Sequence, residues 1–177
     1  MTVAMPQLIP SASGNIERYT PSYIFEGLGV RFDVDPCAPV GIAPCREWCD
    51  SVFSLPTDGL SRDWEGRVWL NPPWTRGAKR HWVAKLKQHG NGIALVRGGV
   101  DSKWFHDNLQ DGLFLLRRRV QYLRSDQMDE RPRKGNAVGG LEPSMLLAFG
   151  KDCVGILGRC TLEGAFFVPR DDTRPPA

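Results

Sequence analysis

Apolar and polar positions along this chain fall into short blocks that switch repeatedly between a period of two and a helical period. Val30, Phe32 and Val34 interleave with Arg31, Asp33 and Asp35, which predicts a strand over 30–35. Just upstream, Ser22 to Leu28 reads as a short helix. Thr20 fits its N-cap, Pro21 its first helical position, and Gly29 the residue past its end. Pro36 stops the strand, Pro39, Gly41 and Pro44 mark a loop, and 46–50 reads as a helical turn. Short apolar runs predict further strands at 52–55, 68–70, 93–96, 113–116, 145–149, 153–157 and 166–168. Between them, 77–89 carries Trp82, Val83 and Leu86 on one helical face and is stopped by Gly90 and Gly92. Residues 102–110 carry Trp104, Phe105 and Leu109 in a second helical pattern. Strands alternating with helices through the first two thirds predict an α/β fold with a mainly parallel sheet. Residues 124–140 are charged and aperiodic and predict a long loop. The organisation expected is one domain over 19–169, with flexible segments at 1–18 and 170–177.

Composition adds little to this picture beyond exclusions. Hydrophobic residues at 41% and charged residues at 24% are those of an ordinary soluble globule, with no apolar run of membrane-spanning length. Met1 to Gly14 lacks a basic stretch followed by an apolar core, so no signal peptide is expected and the cytoplasm is the expected location. Five cysteines, an odd number, argue against a disulfide framework. Cys37, Cys45 and Cys49 lack the C-x-x-C spacing of a zinc knuckle, so buried free thiols and no metal are expected. The histidines His81, His89 and His106 are scattered, and no Ser-His-Asp pattern, Walker loop or H-E-x-x-H helix occurs.

The net charge of +3 is mild, but its distribution is not. Arg117, Arg118, Arg119, Arg124, Arg131, Arg133 and Lys134 crowd one stretch, and Arg76, Lys79 and Arg80 another. Such clusters are either solvated faces or the footprint of phosphate binding.

The chemistry concentrates at Asn71-Pro72-Pro73-Trp74, which leaves the apolar run Val68-Trp69-Leu70. Each proline fixes its own φ, removes an N–H and restricts its predecessor, so the segment is a stiff extended corner at a strand end. It holds an amide, carbonyls and an aromatic face in fixed relation, as the grip on a planar amino group requires. Asp35-Pro36 closes the other candidate strand, and ligands of open α/β sheets sit beyond strand carboxyl ends, so both segments are expected to face one crevice. Trp69, Trp82, Trp104 and Phe105 read as core rather than as base platforms, and Asp58, after Thr57, fits a turn as well as a ligand.

Four segments in order, Tyr19-Thr20-Pro21, Asp35-Pro36-Cys37-Ala38, Trp64-Glu65-Gly66 and Asn71-Pro72-Pro73-Trp74, give the chain a specific likeness. It resembles the compact phage-type DNA N6-adenine methyltransferases over roughly residues 19–150. The resemblance implies a Rossmann-like fold that uses S-adenosylmethionine. It implies a catalytic corner of Asn71, Pro72, Pro73 and Trp74, and cofactor contacts from Tyr19, Thr20, Pro21, Asp33 or Asp35, Pro36 and Asp58. The partner would be double-stranded DNA whose target adenine is flipped out, since the base is unreachable inside the duplex. The two basic clusters would contact that DNA. The glycine-rich turn common after the first strand of methyltransferases is here Asp35-Pro36-Cys37-Ala38-Pro39-Val40-Gly41. Cytosine N4, an RNA adenine or a glutamine amide would present a similar planar nitrogen to the corner, and a catalytically inactive DNA-binding module is the rival from another class.

Overall fold

The computed structural model describes residues 18–39, 44–54, 56–74, 77–122 and 141–169. Strand β1 (Phe32–Asp35) pairs in parallel with β2 (Cys49–Val52) on one side and β3 (Val68–Leu70) on the other, and β3 pairs in parallel with β4 (Gly92–Arg97). Strand β8 (Ser144–Phe149) runs antiparallel to β4 and to β5 (Gly112–Leu116), and β9 (Gly164–Phe167) antiparallel to β5. The seven-stranded order is β2-β1-β3-β4-β8-β5-β9. Strands β6 (Val120–Gln121) and β7 (Leu141–Glu142) form a separate small ribbon. The fold is α/β, as the alternation predicts, but the sheet is mixed rather than mainly parallel. Strand β8 enters between β4 and β5, and no local pattern reveals where a strand inserts.

Each face of the sheet carries helices. Helices α1 (Ser22–Leu28), α2 (Cys45–Trp48) and α5 (Lys151–Arg159) cover one face, around Phe25, Phe32, Trp69, Ile93, Leu146 and Ile156. Helices α3 (Ala78–His89) and α4 (Lys103–Asn108) cover the other, around Val68, Leu70, Trp82, Leu86, Val96 and Phe105. The all-buried pattern of β3 and β8, and of β4 up to the exposed Arg97, is what a sheet covered on both faces demands. Among the described residues no helix is long and apolar enough to cross a membrane.

Several predicted elements move. The stretch 153–157 is helix α5, not a strand: Cys153, Ile156 and Leu157 are its buried residues, and their i, i+3, i+4 spacing is a helical stripe. Strand β2 begins at Cys49 rather than Val52. It is an edge strand with two exposed residues, so it lacks an apolar signature. Pro21, not Thr20, occupies the N-cap of α1, because Thr20 turns inward to a hydrogen bond described below. The predicted loop over 124–140 lies outside the described residues.

Two features of topology place the site. The chain leaves β1 to one side to form β2 and returns on the other side as β3, so the carboxyl ends of β1 and β3 flank a topological switch point, where open α/β sheets bind ligands. Strand β5, antiparallel to β8, also runs with β1 to β4. The ends of β1, β3, β4 and β5 therefore share one rim.

Candidate active site

Asn71 leaves β3 with its side chain fixed at one end and open at the other. Its Nδ2 donates to the Arg18 carbonyl at 2.6 Å and to Thr20 Oγ1 at 3.2 Å. The Arg18 carbonyl, which can only accept, sets the amide's orientation. Oδ1 is buried and has no hydrogen-bond partner among the described residues. Buried acceptors are nearly always satisfied, so this one is poised for a donor. Trp74 meets the ring of Tyr122 edge-on, at 4.8 Å and 81°, and the guanidinium carbons of Arg18 and Arg97 each lie 5.6 Å from the Trp74 centroid. The predicted N-terminal segment and the corner thus meet: Arg18 and Thr20 hold Asn71, and Tyr19, Thr20 and Pro21 are buried beside it.

Across the switch point, Asp35 is 2% exposed. Burial raises its carboxyl to about 6, opposed by the Cys37 N–H, which donates to Asp35 Oδ1 at 3.0 Å, by the Cys45 thiol and by the charge of Arg46. Burial and then the Asp35 charge push the thiols of Cys37, Cys45 and Cys49 upward, so they remain protonated donors. The Cys37 thiol in turn donates to the Asn71 carbonyl at 3.2 Å, joining the two strand ends directly. All five cysteines are free, and among the described residues no cluster of ligand-type side chains could hold a metal.

Asp33 and Asp35 part company. Strict alternation would put them on one face, yet Phe32 packs in one core cluster and Val34 in the other. The N–H groups of Asp33 and Val34 both point at the Arg67 carbonyl, at 2.8 and 3.5 Å, the two-against-one arrangement of a bulge. The bulge turns Asp33 outward, where its carboxylate accepts from the Arg67 N–H. Gly66 makes room for it: at φ +67° it already needs glycine, and a Cβ there would lie 2.2 Å from Asp33 Oδ2.

Asp58 caps a 3-10 turn (Gly59–Ser61), accepting from the Leu60 N–H at 3.0 Å. Its loop nevertheless lies against the β1 end, because a Cβ on Gly59 would sit 1.8 Å from the Pro36 carbonyl oxygen. Trp64 pins that loop by donating its indole N–H to the Gly59 carbonyl at 2.8 Å, and Lys85 Nζ bonds the Leu60 carbonyl at 2.7 Å and the Arg62 carbonyl. The Trp64-Glu65-Gly66 lead is therefore scaffolding: its tryptophan holds the Asp58 loop and its glycine admits Asp33.

Of the basic residues, Arg117, Arg118 and Arg119 are exposed just past β5, on the same rim as the corner, with Arg118 3.5 Å from Glu163. Lys79 is half-buried in the first turn of α3, its ammonium 3.7 Å from the Trp104 centroid, and Arg80 is exposed. Trp104, predicted as core, is only half-buried under that ammonium, whereas Trp69, Trp82 and Phe105 are buried. Arg76, Arg124, Arg131, Arg133 and Lys134 lie outside the described residues. Sequence reasoning missed Arg18, Cys37, Arg97 and Tyr122. Cys37 stood inside a quoted motif, whereas Arg97 merely ends an apolar run and carried no signal.

A buried carboxyl and a proline-stiffened amide corner thus flank the switch point of the sheet, the place where open α/β sheets bind ligands. The chain belongs to the DNA N-6-adenine-methyltransferase (Dam) family, whose model matches residues 16–150. Searches of the curated proteins and of the solved structures return no match.

Proposed function

We propose that this chain transfers a methyl group from S-adenosylmethionine to the N6 amino group of a flipped-out adenine in double-stranded DNA, on a Rossmann-like methyltransferase fold. The observation that carries the reading is Asn71 Oδ1, a buried acceptor at the end of β3 without a partner among the described residues. The family places DNA adenine methylation in this chain's class, and the switch point supports the fold.

The residues fit the cofactor. Asp35 is a buried carboxyl at the β1 end whose charge has no ion-pair partner at contact distance among the described residues, and it suits a ribose hydroxyl or the ammonium of an amino acid. Asp35 is thus favoured over Asp33, whose carboxylate is engaged by the Arg67 N–H. Tyr19, Thr20, Pro21 and Pro36 would wall the pocket, and Asp58 reaches it through the contact of Gly59 with Pro36. S-adenosylmethionine, when bound, supplies an electrophilic methyl on sulfur.

Adenine N6 is a poor nucleophile because its lone pair is delocalised into the ring. Asn71 Oδ1 and the Pro72 carbonyl would accept its two hydrogens, draw density onto nitrogen and favour the tetrahedral amine. These acceptors are set before the reaction, held by Arg18, Thr20 and the Cys37 thiol, so their reorganisation does not add to the barrier. Trp74 would stack on the base, worth about 1–3 kcal/mol, after displacement of the guanidinium groups now against its ring.

The test is incubation with labelled S-adenosylmethionine and unmethylated DNA, followed by mass analysis of the nucleosides. N6-methyladenine is expected; label in RNA, protein or N4-methylcytosine would overturn the assignment. Asn71→Ala should lower kcat by about 10²–10³, the usual scale for one preorganised hydrogen-bonding group, with cofactor affinity nearly unchanged.

A further inference from the structure

Beside the corner lies a cleft of about 210 Å³ between the ends of β3 and β4, lined by Pro72, Pro73, Trp74, Gly77, Lys79 and Arg97. Two cations converge in it. Lys79 is half-buried and makes no hydrogen bond or ion pair among the described residues; burial and then the nearby charge of Arg97 lower its pKa. Lys79 rests over the Trp104 ring and Arg97 is exposed at the end of β4, and two like charges facing one cleft make a field that attracts an anion. The start of α3 adds to this field, since its first turn holds no acidic residue and its N-cap, Gly77, has no side-chain cap.

We propose that Lys79 and Arg97 together hold one phosphate of the DNA backbone, the phosphate adjoining the nucleotide turned out onto Asn71 and Trp74. The proposal rests on the methyltransferase reading for its placement. A base stacked on Trp74 carries its own phosphate one sugar away, and the cleft shares Pro72, Pro73 and Trp74 with the corner. The other anion available to such an enzyme, the cofactor's carboxylate, belongs with the β1–β3 crevice on the opposite side of β3. Fixing that phosphate would hold the extruded nucleotide in register with Asn71 Oδ1, which makes Lys79 and Arg97 binding residues that guide the flip rather than participants in the transfer.

The experiment compares the full chain with Lys79→Gln, Arg97→Gln and the double variant, reading binding to a mixed-sequence duplex oligonucleotide across a salt series. Each single variant should lose affinity about tenfold at low salt and lower the slope of log K against log salt by about one. The double variant should lose no more slope than either single one, because the two cations share one phosphate. An unchanged slope would overturn the proposal, as would a doubled loss, which means two separate phosphates. A raised KM for S-adenosylmethionine at unchanged DNA affinity would instead assign the cations to the cofactor. A measurement on the unaltered chain guards against variants that misfold. On a duplex carrying the methylated site, neutral methylphosphonates replace the phosphates one at a time. One position beside the adenine should account for the affinity loss; a loss spread evenly, or absent there, sinks the idea. If the slope falls as expected while the parent chain transfers no methyl, the anion site stands and the methyltransferase reading falls.

Discussion

Asp35 carries the sharpest consequence at the scale of single residues. Its carboxyl is raised from 3.8 to about 6, chiefly by burial. Below about pH 4 it is protonated in both the folded and the unfolded chain. Between those values only the folded chain keeps the proton, so stability is lost as pH rises through about 6. Above that, the buried carboxylate costs about 3 kcal/mol. Replacing it by asparagine should therefore raise thermal stability relative to the parent more at pH 8 than at pH 4; a pH-independent difference in unfolding free energy would show that Asp35 does not titrate in this way. The same carboxylate, in its ionised form, would receive the cofactor. S-adenosylmethionine affinity measured by calorimetry should then fall about tenfold per pH unit below about pH 6. The residue types of the candidate site were legible from their chemistry: an amide locked by two prolines, an aspartate before a proline, an aromatic behind them. The partners that orient them were not, because Arg18 acts through its carbonyl and Cys37 through a thiol reaching a residue 34 positions away.

Short-range patterns located most elements, and the failures share a cause. Strand β2 is short and polar, and the apolar part of α5 is short enough for its helical stripe to pass for a buried strand. The bulge in β1 is a failure of another kind. Period-two alternation joined Asp33 to Asp35, and a contact with Arg67, more than thirty residues on, separated them. At this scale the loop carrying Asp58 is the element to test. Gly59→Ala would force a methyl into the Pro36 carbonyl and push the loop off the β1 end. The expected outcome is a lower Tm, together with a rise in the dissociation constant for S-adenosylmethionine that exceeds any change for DNA. Equal losses for the two ligands would mean the loop serves only stability.

For the whole molecule, the parallel course of β1, β3, β4 and β5 puts the buried carboxyl, the amide corner, the cationic cleft and Arg117 to Arg119 on one rim. The proposed catalytic grip and the proposed DNA footprint are then faces of one surface rather than separate patches. Exposed Arg117 and Arg118 each have one potential phosphate contact. Changing both to glutamine should reduce the slope of log K against log salt by about two, with kcat at saturating DNA preserved. An unaltered slope would make this cluster a solvated face, and a collapse in kcat would place it in the chemistry.

The sequence by itself determined the α/β alternation and the stiff, extended course of the Asn71–Trp74 corner. Those properties follow from local covalent geometry and from periods a few residues long. Only the tertiary structure decided that the sheet is mixed, that Asp35 is buried while Asp33 is turned outward, that Trp64 and Gly66 hold the Asp58 loop and Asp33 in place, and that Arg97 and Lys79 line one cleft beside Trp74. Each of these depends on segments distant in the chain meeting in space, and such contacts leave no trace in a local pattern.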